Sequence, residues 1–207
     1  MNRRARFTTA VLPPVPPALI PTILLAVLVA GLLSGCKAVP VGIEAHLTFD
    51  DLVGVVLYEG DTVELDGVVM TVLPTVAPEG KAVTGGQVQA NTAANAGGSG
   101  LELVITNACV GFDFGGRVIG LVVNVADLGA WVNLVIHEEL RTQVDLNGLA
   151  IPGVMITTTP IAREAFDMTI AGEIEPSVYP LAKESGAHNL VIGGNSVYID
   201  DLISVVE

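Results

Sequence analysis

Aromatic and charged residues are scarce in this sequence. Aromatic side chains make up 4% of the 207 residues, with a single tryptophan, and charged residues make up 15%. Hydrophobic residues reach 51%, and the 23 glycines and 12 prolines fall well short of a collagen-like content. A chain this apolar has enough hydrophobic side chains for a packed core, which excludes an intrinsically disordered protein.

Basic residues are the rarest charged group. The chain has nine Lys and Arg against 22 Asp and Glu, and its formal net charge at pH 7 is −13. Three of the nine, Arg3, Arg4 and Arg6, lie before the first apolar run, which leaves six for the rest of the chain. Nucleic-acid binding needs a positive surface that meets phosphates, so this composition excludes it.

The N-terminal segment has the order of an export signal: positive residues, an apolar stretch, then small residues and a cysteine. No charge occurs from Phe7 to Gly35, and the densest apolar part runs from Ile23 to Leu33. That part is much shorter than the roughly 20 residues of a membrane-spanning helix. We therefore predict that residues 1–35 are a signal peptide.

The end of this segment, Leu33-Ser34-Gly35-Cys36, resembles the lipobox of bacterial lipoproteins. The resemblance implies that lipid, including acyl chains such as palmitate, is attached at Cys36 and that residues 36–42 form a lipidated tether. Lys37, rather than Asp, follows the cysteine, which favours the outer membrane of the cell envelope. Lipid chains hold a protein on a membrane without a spanning helix. The alternative is an uncleaved N-terminal helix with an incidental cysteine.

With Cys36 lipidated, Cys109 has no partner for a disulfide within one chain. Apolar residues flank Cys109, and no Lys, Arg or His lies within seven residues of it. We therefore expect Cys109 to be a small buried side chain without a reactive thiol.

Short runs rich in Val and Thr, separated by turn residues, fill the chain from Ile43 onward. Alternation from Ile43 to Asp50 is typical of a half-buried strand. Glycine-rich or Asn-Gly segments separate the runs, and no window shows a convincing helical stripe. We predict strands at residues 43–50, 68–73, 87–91, 101–106, 110–114, 117–125, 131–137, 154–159, 166–171 and 189–205, the last with a turn inside at Gly193-Gly194-Asn195. About ten strands predict an all-β domain over residues 43–207, an antiparallel β-sandwich or jelly roll.

Two segments at opposite ends of this domain carry a family resemblance. Residues 47–52 (LTFDDL) and 196–204 (SVYIDDLIS) are similar to the terminal strands of the galactose-binding-like jelly rolls, which include many carbohydrate-binding modules. Residues 97–103, 112–116 and 127–134 resemble uncharacterised exported bacterial proteins with the same pattern. The resemblance implies a jelly roll whose first and last strands lie near each other.

The resemblance also implies a calcium ion. Jelly rolls of this kind often hold structural calcium between the first and last strands, and Asp50 or Asp51 and Asp200 occupy the matching positions. Calcium takes six to eight oxygen ligands, which carboxylates and loop carbonyls supply. The alternative is that these aspartates are outward-facing strand residues.

One strand suggests a ligand surface. Alternation places Trp131, Asn133 and His137 on one face, opposite Val132 and its apolar neighbours. An indole beside an amide and an imidazole is suited to stacking on a sugar ring. The alternative is that Trp131 closes the edge of the core.

The sequence matches known catalytic motifs only in part. The segment from His137 to Arg141 starts like a zinc-protease helix, but Arg141 stands where the second histidine is needed. The preferred interpretation is a non-catalytic, lipid-anchored envelope protein that binds glycan and has a structural calcium ion. The alternatives are a structural or assembly protein of the envelope that binds a protein partner, and an envelope hydrolase.

Overall fold

Strands dominate the computed structural model of the chain, which describes residues 43–92, 95–98, 100–129, 131–143, 149–161 and 164–207. The segments predicted as signal peptide and tether lie outside these residues. All the described residues belong to one unit, Pro40–Glu207. No helix among them has the length and apolar character needed to cross a bilayer.

The described residues contain β-strands and two short 3₁₀ turns, Asp50–Leu52 and Lys183–Ser185. Every strand pair is antiparallel, and the all-β antiparallel sandwich is confirmed. The narrower jelly-roll assignment stays a prediction. The strands are β1 (Ile43–Leu47), β2 (Val56–Tyr58), β3 (Thr62–Leu65), β4 (Val68–Val76), β5 (Ala82–Val83), β6 (Gln87–Asn91), β7 (Glu102–Asp113), β8 (Val118–Asp127), β9 (Val132–Ile136), β10 (Glu139–Gln143), β11 (Ala150–Ile151), β12 (Val154–Pro160), β13 (Ala165–Ile174), β14 (Ser177–Val178), β15 (Ala187–His188) and β16 (Leu190–Val206).

The last strand, β16, organises the fold. Its first part lies between β7 and β9, and its second part lies between β8 and β1. Beyond these neighbours, the sheet continues through β13, β12 and β11 on one side and through β4 and β3 on the other. The first and last strands of the domain are therefore direct neighbours, with Leu47 opposite Leu202.

The turn predicted inside the last strand is absent, because β16 continues through Gly193-Gly194-Asn195 without a change of register. Pairing with β7 continues from Gly194, opposite Ala108, to Ser196, opposite Thr106, with one residue unpaired on each strand. A side chain at Gly193 would place its Cβ 2.3 Å from the Ala108 carbonyl oxygen. Glycine is therefore required here by the close approach of β7, and it does not mark a chain reversal.

The strand predicted at 101–106 and the one predicted at 110–114 are parts of one continuous strand, β7. Asn107 lies between them in the left-handed region, with φ of 50°. Asparagine tolerates this conformation, which kinks β7 without ending it.

One large hydrophobic cluster fills the interior. Its fully buried members include Met70 of β4, Phe112 of β7, Val123 of β8, Ile170 of β13 and Ile192 of β16. A second, smaller cluster is assembled from Leu73, Cys109, Val135, Tyr179 and Val191, with Ala182 also a member. The segment between β14 and β15 thus covers part of the sheet.

Candidate functional site

The candidate site is a glycine-rich loop formed by residues 95–98 and 100–101. Three carboxylates contact this loop. Asp50 lies in the 3₁₀ turn just after β1, and its Oδ1 accepts a hydrogen bond of 2.9 Å from the Leu101 N–H. Gly100 has φ of +82°, and a Cβ there would lie 2.5 Å from Asp50 Oδ1. The loop backbone therefore approaches this carboxylate at a distance that only glycine allows.

Asp200 holds the other side of the loop. It is 1% exposed, and a Cβ on Gly98 would lie 2.4 Å from its Oδ2. Burial raises the pKa of the Asp200 carboxyl to about 7, although the hydrogen bond that Asp201 N–H donates to Oδ1 opposes the shift. The negative charges of Asp201, Glu102 and Asp50 raise this pKa further. The carboxylates of this site are thus close enough to repel one another.

The glycine-rich loop accounts for the burial of Asp200. Ile199 packs in the large hydrophobic cluster, so alternation places Asp200 on the opposite face of β16, beside Tyr198. On that face Tyr198 packs against Ala96 of the loop, and Gly98 lies directly against the Asp200 carboxylate. Asp200 is therefore covered by the loop and not exposed to solvent.

Glu102, at the start of β7, is the third carboxylate and was missed by sequence reasoning. It is 1% exposed. Its Oε1 accepts a hydrogen bond from the Asn95 Nδ2, and its Oε2 accepts one from the Ala96 N–H, both at 2.9 Å. An acidic residue between two leucines, directly after a run of glycines, was the only available signal.

Asp51 does not join this group. Its side chain is exposed, and it lines a small cavity of about 70 Å³ together with Asp50 and Asp66. Of the three predicted metal ligands, the structure therefore brings together Asp50 and Asp200 and leaves Asp51 apart.

The donor chemistry of Asp50, Glu102 and Asp200 fits calcium, because all three offer hard oxygen atoms. The loop backbone lies directly against two of them, at Gly98 and Gly100. At least one oxygen of each carboxylate accepts a backbone N–H. Within the described ranges, no group of three or more His, Cys, Asp or Glu side chains has the arrangement of a metal centre.

The predicted ligand face on β9 is a buried face. Asn133 is 0% exposed, its Nδ2 donates to Thr75 Oγ1, and its Oδ1 accepts a hydrogen bond of 2.7 Å from Thr142 Oγ1. Both faces of β9 are covered, because Val132, Leu134 and Ile136 on the opposite face are also buried. We therefore withdraw Asn133 from the predicted glycan contacts.

Trp131 and His137 are half-buried at opposite ends of β9. At about 3.3 Å per residue, the two residues are separated by roughly 20 Å along the strand. His137 belongs to the tight turn into β10, where it and Glu138 have φ of 54° and 64°. The two side chains therefore cannot contact the same sugar ring.

Cys109 is a buried, unreactive thiol, as expected. It is 0% exposed, and burial raises its pKa to about 11. Hydrogen bonds with Thr75, Asn133 and Tyr179 oppose that shift. The predicted lipidation site, Cys36, lies outside the described residues.

Comparisons with known proteins identify no relatives: no family model, no curated protein and no solved structure matches this chain.

Proposed function

We propose that the chain is a non-catalytic, galactose-binding-like jelly-roll module of the bacterial cell envelope. In this proposal, lipid on Cys36 anchors it to the outer membrane, and a calcium ion stabilises it. The observation that carries the proposal is the convergence of Asp50, Glu102 and Asp200 on the glycine-rich loop.

Calcium binding has a physical reason at this position. Asp200 is buried beside two other carboxylates, and an uncompensated buried negative charge is costly. A divalent cation held by Asp50, Glu102 and Asp200 would neutralise this repulsion, and carbonyl oxygens of the loop would add ligands. Such an ion would join the turn after β1, the start of β7 and the middle of β16. Its role would therefore be structural.

Thermal unfolding of the chelated protein, with and without added calcium, tests this proposal. A ligand that binds only the folded state at about 100 times its Kd stabilises it by about 2.7 kcal/mol. We expect calcium to raise the Tm of the wild type and of Asp51→Asn, the exposed control. Asp200→Asn and Asp50→Asn should each reduce the shift. Absence of a shift in the wild type, or an equal shift in all four proteins, would contradict calcium binding at this site.

In this proposal the ligand of the module is a glycan. Tyr58 is 56% exposed, so its ring is accessible for stacking on a sugar. Trp131 is half-buried, and its indole Nε1 is buried. Binding on a glycan array tests the ligand class. Binding that survives both Trp131→Ala and Tyr58→Ala would exclude stacking on these rings.

A protein partner is the second candidate, and one surface favours it. Val53, Val55, Val56 and Tyr58 are 72%, 37%, 39% and 56% exposed, and all lie within one short segment that includes β2. Among the described strands, β2 pairs only with β6. Exposed apolar side chains on an edge strand are typical of protein contacts. Chemical crosslinking on intact cells that is lost in Val53→Ser/Val56→Ser would support this function.

A further inference from the structure

A groove on the surface of the domain lies away from the glycine-rich loop. It has a volume of about 560 Å³, within the range of small-molecule sites. One wall is the turn between β2 and β3, with Glu59 and Gly60, and the other is the segment between β14 and β15, with Glu184 and Ser185. Strands β3 and β4 form the floor.

Both walls are held in place by hydrogen bonds. On one side, the Gly60 N–H donates to the Val72 carbonyl at 2.9 Å. On the other side, the Tyr179 hydroxyl donates to the Pro74 carbonyl at 2.8 Å, and its ring is 0% exposed. These contacts fix each wall to β4. The groove is therefore largely formed before a ligand arrives, which lowers the entropy cost of binding.

The groove presents carboxylates and hydroxyls. Glu59 and Glu184 lie on opposite walls, and the floor contributes Thr62 and Thr71, whose Oγ1 atoms are 3.3 Å apart. Ser185 adds a third hydroxyl, and its Oγ donates to the Ala182 carbonyl at 2.6 Å.

None of the described residues lining the groove is basic, and none is aromatic. Lys183 precedes Glu184 but is not part of the lining. Carboxylates and hydroxyls select a ligand that donates hydrogen bonds and carries positive charge. The net negative charge of the whole chain attracts the same kind of ligand.

We propose that this groove binds an amino sugar, with the sugar ammonium between Glu59 and Glu184 and the sugar hydroxyls on Thr62, Thr71 and Ser185. This inference rests on the proposed glycan-binding function and narrows it to a basic glycan. It assigns recognition to charge and hydrogen bonding instead of ring stacking. A polyamine and a lysine side chain share the ammonium chemistry but lack the ring hydroxyls.

Calorimetric titration of the calcium-saturated protein tests this inference at low salt and mildly acidic pH. The probes are a β-1,4-linked glucosamine disaccharide, its N-acetylated counterpart, spermidine and trilysine. The glucosamine disaccharide should bind most tightly, since only it combines an ammonium with ring hydroxyls. Glu59→Gln and Glu184→Gln should each weaken its binding by up to about fivefold, as for an exposed ion pair. Glu79→Gln, in the turn after β4 and outside the groove, is the matched control.

Equal affinity for the N-acetylated disaccharide would overturn the role of the ammonium, and equal or tighter binding of spermidine or trilysine would overturn the choice of sugar. Unchanged affinity in both glutamine variants would place binding elsewhere. Cleavage of the disaccharide during the titration would overturn the proposal of a non-catalytic binding site and indicate a hydrolase. The same titration without calcium separates the proposed calcium site from the proposed sugar groove. The calcium site does not include the groove residues, so sugar binding that persists without calcium would support the groove even if the calcium proposal fails.

Discussion

The Asp50 carboxylate accepts a hydrogen bond of 2.9 Å from the backbone N–H of Leu101, directly before the start of β7. The contact joins the turn after the first strand to the glycine-rich loop. Asp200, on the last strand, lies against the same loop at Gly98. Three distant parts of the sequence thus meet at one carboxylate-lined loop.

The close approach of the Gly100 backbone to the Asp50 carboxylate should make a side chain at Gly100 costly in the free energy of unfolding. Gly100→Ala introduces a Cβ 2.5 Å from Asp50 Oδ1 at φ of +82°. Gly80→Ala is the matched control, because Gly80 has φ of +80° with nothing within 4 Å of the added atom. Both variants carry the left-handed cost of about 1–2 kcal/mol. We expect Gly100→Ala to lose about 1–3 kcal/mol more in urea unfolding, and equal losses would mean that the loop moves away freely.

Acid should destabilise the domain through His188. This side chain is 3% exposed, and burial lowers its pKa, while the charge of Asp113 raises it. The unfolded state therefore binds more protons than the folded state. The stability contributed by His188 is present above about pH 6.5, the ordinary pKa of histidine, and is lost as the pH falls below that value.

The measurement is the free energy of unfolding against pH in the wild type and in His188→Gln. Asp127 and Asp200 have raised pKa values and act in the opposite direction, so the difference between the two proteins isolates His188. His46→Gln is the control, since His46 is largely exposed beside Asp201. A His188→Gln curve parallel to the wild type would contradict the prediction.

Asn133 should matter for stability and not for ligand binding. Its amide bonds Thr75 and Thr142 in the interior, so Asn133→Ala leaves buried hydroxyls without this partner. We expect a loss of about 1–3 kcal/mol in the free energy of unfolding. Thr159→Ala, at an exposed position of β12, should change it by less than about 0.5 kcal/mol. Loss of glycan binding in a folded Asn133→Ala protein would show that the predicted face is used after all.

The lipid anchor is tested by Cys36→Ala. The variant should appear in the soluble fraction of lysed cells, because without acyl chains no other attachment is expected. Cys109→Ala is the control for the second cysteine, whose thiol is buried. It should remain with the membranes. A Cys36→Ala protein that fractionates like the wild type would exclude the lipobox interpretation.

Local patterns in the sequence were sufficient to predict the fold class. Alternating apolar residues and turn glycines predicted β6 at its observed bounds and most of β4, β8 and β12. The same signals failed at Gly193-Gly194-Asn195. Glycine marks both a turn and a close approach of two backbones, and only the partner strand distinguishes them.

The sequence by itself determined that the chain is all-β, acidic and poor in catalytic motifs, because these properties depend on composition and short-range periodicity. Tertiary structure decided which carboxylates meet: Glu102 joined Asp50 and Asp200, and Asp51 did not. It also buried Asn133 and opened a groove between Glu59 and Glu184. Burial and proximity depend on how distant strands pair and on which loop covers a sheet face, and short-range patterns in the sequence determine neither.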